Sequence, residues 1–134
     1  MEVNINSPAY YSTAFGVDDD VYAMCRSIRL FVRDKKYSDK VDIIGLMPTA
    51  APECELENGG WKEFRKIDRK AKLIIFRKRI DYGAFVNGDS ETRKRLILDC
   101  LFSCIDSIPK NMDFDKEGFK RDICLCTGME YDGE

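Results

Sequence analysis

Between Leu96 and Ile108 the chain carries Leu96, Ile97, Leu98, Cys100, Leu101, Phe102, Cys104, Ile105 and Ile108 in a helical pattern that is apolar on nearly every face. A surface helix shows one apolar stripe, whereas a helix apolar on most sides must be covered from several directions. The segment therefore predicts the centre of the core, and the rest of the chain has to supply layers around it. Asp89 or Ser90 can cap its start, because a short side-chain oxygen accepts a bond from an orphan N–H of the first turn. Asp99 and Asp106 interrupt it, and it falls short of the roughly 20 apolar residues of a bilayer span. No membrane partner is expected.

The remaining elements follow from periodicity and breakers. Glu2 to Ser7 alternates as a half-buried strand does, and Pro8 ends it. Tyr10 to Phe15 reads as a loop. A first helix starts near Asp18 to Asp20, where carboxylates suit the positive end of the helix dipole, and runs through Arg33. Val41 to Met47 predicts a strand stopped by Pro48. Thr49 to Gly60 is the longest irregular stretch. Trp61 to Ile67 and Ala71 to Ile80 predict two strands joined by a turn at Asp68, Arg69 and Lys70. Asp81 to Asp89, with Gly83 and Gly88, reads as a loop. Asp113 or Asp115 caps a shorter helix from about Asp115 to Leu125, and Gly128 stops it. This order predicts an α+β fold: a small antiparallel or mixed sheet of about four strands, with three helices packed mainly on one face. One domain is expected over residues 1–134, with 129–134 as a frayed tail.

A chain of 134 residues can bury an ordinary core without disulfides or metal. It contains no histidine, which removes the commonest general base, the commonest metal ligand and the usual nucleophile pairs. No enzyme is expected, and no cofactor is implied. The start of the chain has no basic and apolar leader pattern, so a cytoplasmic protein with reduced thiols is expected. Cys100, Cys104, Cys124 and Cys126 can be set against a thiolate metal site. Their spacing is not that of zinc knuckles, and two of them lie in the most apolar helix, so structural thiols are the better reading.

Charge is segregated. Asp18, Asp19 and Asp20 form one acidic group, and Glu53, Glu55 and Glu57 a second, in a long loop of the kind that often carries binding residues. Lys62 to Arg79 is heavily basic and includes Trp61, Phe64 and Phe76 at or within its bounds. Two docking surfaces follow. In the favoured one, Asp18, Asp19, Asp20, Glu53, Glu55, Glu57 and Trp61 meet a basic protein partner. In the alternative, Lys62, Lys66, Arg69 and Lys70 bind nucleic acid in a small regulatory protein. A sequence pI near 5.3 and the acidic groups weigh against nucleic acid. Tyr10, Tyr11 and Tyr82 are further anchor candidates, since tyrosine and tryptophan are enriched among binding hot spots.

The run FRKRIDYGAF, from Phe76 to Phe85, followed by a capped Leu-rich helix, resembles a family of bacterial immunity proteins. These are the small antidotes encoded beside polymorphic toxins and contact-dependent growth-inhibition toxins. The matching residues are Phe76, Arg77, Lys78, Arg79, Ile80, Asp81, Tyr82 and Phe85, with Tyr82 standing where that family often has His. A weaker likeness extends from Asn4 to Ile108. The resemblance implies a non-catalytic antidote that binds the C-terminal domain of a cognate toxin, a nuclease by preference, and occludes its active or substrate-binding surface. A monomer or weak dimer is expected.

Overall fold

The computed structural model describes residues 1–6, 19–52, 56 and 58–130. Four strands, β1 (Glu2–Ile5), β2 (Ile43–Thr49), β3 (Phe64–Asp68) and β4 (Leu73–Arg79), form one sheet in the order β1-β2-β4-β3. β1 and β4 each run parallel to β2, and β3 closes an antiparallel hairpin with β4. The sheet is therefore mixed and the fold α+β, as the element order predicts. Four α-helices occur among the described residues: α1 (Asp19–Val32), α2 (Tyr82–Asn87), α3 (Ser90–Asp106) and α4 (Lys116–Thr127).

The predicted core helix is α3. The Asp89 carboxylate accepts from the Thr92 N–H at 2.9 Å and sets its start. Burial of Ile97, Leu98, Cys100, Leu101, Phe102, Cys104 and Ile105 places it at the centre of the helical layer. The inner sheet face, from Val3, Ile44, Leu46, Ile74 and Phe76, joins the same cluster, as do Val21, Met24 and Ile28 of α1 and Phe119 and Ile123 of α4. Arg65 ties β3 to the end of α3 by donating to the Ser107 carbonyl at 2.6 Å.

α4 is fastened by polar contacts around Tyr37. Its cap residue Asp115 donates its N–H to the Tyr37 carbonyl at 2.8 Å. The Tyr37 hydroxyl donates to Asp122 at 2.7 Å, and its ring meets Phe119 edge to face at 5.2 Å. The Asp115 carboxylate folds back to the Gly118 N–H at 3.0 Å, in space that a side chain at Gly118 would fill. Gly128, at φ 69°, ends α4 with its N–H on the Cys124 carbonyl. Beyond it Met129 still packs on the core and Arg95 donates to the Glu130 carbonyl, so the chain is held two residues into the expected frayed tail.

Several expectations need correction. Pro48 does not stop its strand, because β2 continues to Thr49. Residues 43 and 49 bond towards β4, while Leu46 accepts from Asn6 on the β1 side. By alternation the missing Pro48 N–H points to the β1 side, where that strand has ended, so no ladder bond is lost. The segment from Asp81 to Asp89 is not a plain loop, because Asp81 accepts from the Ala84 N–H at 2.8 Å and caps α2, a fourth helix beyond the three expected. The hairpin turn is longer than three residues, with Asp68 opposite Leu73 and Lys72 in the left-handed region at φ 55°. Within the irregular stretch, Leu56 has helical backbone and is buried, with its N–H on the Pro52 carbonyl at 3.2 Å.

Candidate docking surface

Strand registers define the sheet face opposite the helices. Glu2, Ile43, Leu73 and Asp68 form one row across it; Asn4, Gly45, Ile75 and Lys66 form the next; Met47, Arg77 and Phe64 form a third. Ile43, Met47, Leu73 and Ile75 are only half-buried, whereas the residues alternating with them are sealed. The buried apolar residues of α1 to α4 all join the cluster that includes the inner sheet face, whereas buried Leu56, whose carbonyl accepts from the Trp61 N–H, does not.

The third row holds the most ordered side-chain arrangement on that face. The Arg77 guanidinium lies 4.8 Å from the Phe64 ring centre and 5.1 Å from that of Trp61. Its Nε donates to the Lys62 carbonyl at 2.8 Å. Arg79 approaches Trp61 at 5.8 Å. Each such contact between a cation and a ring stabilises by about 0.5–2 kcal/mol, more as water is excluded. The Trp61 indole N–H is buried with no acceptor among the described residues. The face of the ring lies against both arginines. Arg77 has no carboxylate partner among the described residues, and its two terminal nitrogens keep their donors.

The sequence-predicted residues divide. The Met1 nitrogen donates to the Val32 carbonyl at 3.1 Å, so α1 runs back along β1 and starts at the end to which β1, β2 and β4 run. Asp19 and Asp20 are exposed there, on the helical side. Trp61 lies at the same end but on the outer face, beside β4 and β3, about 10–14 Å from β1 at normal strand spacing. Asp18, Glu53, Glu55, Glu57, Tyr10, Tyr11 and Cys54 lie outside the described residues. In chain order, however, the acidic groups occupy the connections that follow β1 and β2, two strands that end on the same side of the sheet. Tyr82 is half-buried in the first turn of α2.

The alternative set does not form one surface. Lys66 stands on the outer face opposite Ile75, while Arg69 turns its guanidinium to the Met112 sulfur at 3.0 Å. Lys62 and Lys70 are exposed. Arg77 and Phe64 lie inside the basic run Lys62 to Arg79 but not among the residues singled out from it, although they meet directly in the hairpin.

Among the described thiols only Cys100 is lowered from its ordinary value. Burial pushes Cys25 up to about 11. The interaction of the Cys100 thiol with that of Cys104, one turn on, lowers Cys100, and the same interaction together with burial raises Cys104. Burial also raises Cys124 and Cys126. Among the described residues, no three of His, Cys, Asp and Glu come together to hold a metal, and no helix is long and apolar enough to cross a membrane.

Residues 1–124 match the family of immunity protein 44. The chain belongs to that family. The matched span takes in all four strands and most of α4, and contains the segment from Asn4 to Ile108 that carried the sequence resemblance. Membership gives this immunity protein an immunity function and, in general, a toxin as its partner. No curated protein and no solved structure matches the chain.

Proposed function

We propose that this immunity protein binds the C-terminal toxin domain of a cognate effector in the cytoplasm and neutralises it without chemistry, by covering its active or substrate-binding surface. Family membership over residues 1–124 carries the reading. The preferred target is a nuclease of a polymorphic or contact-dependent growth-inhibition system. A nuclease must attract a polyanion and is basic where it does so, and carboxylates can imitate phosphates while speeding association. The acidic groups Asp18 to Asp20 and Glu53, Glu55 and Glu57 follow strands that end on one side of the sheet, the end at which Trp61 also lies. That topology supports a docking surface at this end.

Co-expression with a tagged C-terminal domain from the adjacent upstream reading frame tests the proposal. A stable stoichiometric complex and rescue of growth are expected. Growth arrest that persists, with no complex at micromolar concentration, rejects it. The nucleic-acid reading receives no support from the geometry, since Lys66 and Arg69 face different ways.

A further inference from the structure

We propose that the outer sheet face docks the toxin through a carboxylate anchor, with Arg77 receiving an Asp or Glu side chain of the toxin domain between the walls of Trp61 and Phe64. The inference rests on the immunity reading and names the chemistry of the partner at one point of its surface.

Three observations carry it. First, the Lys62 carbonyl fixes Arg77 through Nε, and among the described residues its two terminal nitrogens have no partner, which leaves the end-on fork that matches a carboxylate. Second, two aromatic rings hold the guanidinium at 4.8 and 5.1 Å, so little side-chain freedom remains to be lost on binding. Third, the surroundings are those of a protein interface. Met47 and Ile75 lie beside Arg77 as half-buried apolar neighbours, with Lys66 at the next row. Interface hot spots are enriched in Trp, Tyr and Arg set among apolar contacts.

A phosphate backbone is the poorer fit. It requires a line of free cations, but Arg65 is turned to the Ser107 carbonyl and Arg69 to Met112. Glu63 also stands beside this edge, 3.9 Å from Lys78 and bonded to the Arg79 N–H. A single carboxylate needs only the one fork. The basic outer face and the acidic segments at the strand ends then contact different parts of one toxin, which suppresses partners with the wrong charge pattern.

The test measures affinity for the purified cognate toxin domain. Arg77→Met is expected to weaken binding by on the order of thirtyfold, the hot-spot threshold. Arg77→Lys keeps the charge without the fork and recovers only part of the loss. A scan of toxin Asp and Glu residues to their amides should find one whose effect largely disappears in the Arg77→Met background. Phe64→Leu removes one wall without touching Arg77 and should cost several-fold; it decides the matter if Arg77→Met fails to fold. Wild-type affinity in the folded variants, or a loss with no coupled toxin carboxylate, overturns the anchor and leaves the immunity function standing. If Arg77 instead governs binding of a single-stranded oligonucleotide and not of the toxin, the face belongs to nucleic acid and the inference is wrong. No complex with the wild-type protein overturns both readings.

Discussion

On one side of the sheet Ile44, Leu46, Ile74 and Phe76 are sealed beneath helices, while Ile43, Met47, Leu73 and Ile75 on the other side stay half-open beside Arg77. The two sets alternate along the same two strands and differ little in hydrophobicity. The inner residues are fixed by the shape of α3 and its neighbours. The outer residues satisfy no such demand within the described residues, yet they are not replaced by the polar residues that a permanently wet face would carry. An apolar sheet face with an ordered cation at its end is the composition that the proposed toxin-docking surface requires.

The largest test of this contrast is a pair of truncations on β4. Phe76→Ala should cost about 3–5 kcal/mol, through lost burial and the cavity left beneath α3. Ile75→Ala, one residue earlier, should cost about 1 kcal/mol, since only part of its surface leaves water. Urea unfolding of the isolated protein measures both. Equal losses would mean that the outer face is as fully packed as the inner one, and the contrast would collapse.

A second pair examines Lys120, the one lysine buried among the described residues. Lys120 is buried, with its ammonium 2.5 Å from the Asp106 carboxylate. Asp106→Ala leaves that charge without its carboxylate and should cost about 1–3 kcal/mol. Lys120→Met leaves a half-exposed Asp106 that water can solvate, and should cost less than Asp106→Ala. The reverse order would show that the ammonium is satisfied by other groups.

The third test is pH. Burial, and the hydrogen bond it donates to Asp122, raise Tyr37 above its ordinary value. A raised folded-state value means that the folded protein holds the proton longer. This stability is present in full below about pH 10, the value of free tyrosine, and is lost as pH climbs beyond it. Cys25, at about 11, adds a fall that begins nearer the ordinary thiol value of ~8.5. Tyr37→Phe should cost about 1 kcal/mol at neutral pH and flatten the decline above pH 10. An unchanged slope would remove Tyr37 from the helical side's polar lock.

Much of the inner side was legible in the sequence, because packing leaves strong marks there. The run from Leu96 to Ile108, the cap at Asp89 and the Asp115–Gly128 bracket of α4 each combine a period with a stop signal, and all three stand in the structure. The outer face was not legible, for a reason of register. A turn at Asp68, Arg69 and Lys70 would pair Phe64 with Ile74 and turn its ring towards the core. The real turn pairs Phe64 with Arg77, an odd shift that exchanges the faces. The signal that could have revealed it, Lys72 in a left-handed conformation, is carried by a residue type that does not announce it. The acidic groups were visible as charge, but periodicity alone could not say which face they serve.

The smallest expected effect is on stability and the sharpest on mechanism. Lys66 is exposed on the outer face, opposite Ile75, and it has no ion pair among the described residues. Lys66→Gln should change unfolding free energy by less than about 0.5 kcal/mol, as a surface substitution without a buried partner does. Its effect belongs in the association rate with the toxin, because a rim charge steers encounter more than it holds the complex. If the outer face meets an acidic patch, association slows, the slowing shrinks as salt is raised, and dissociation hardly moves. If that face meets the basic groove of a nuclease, the same substitution speeds association. Stopped-flow mixing across a salt series gives the sign. That sign decides whether the half-open face receives an acidic patch of the toxin, as the Arg77 anchor requires.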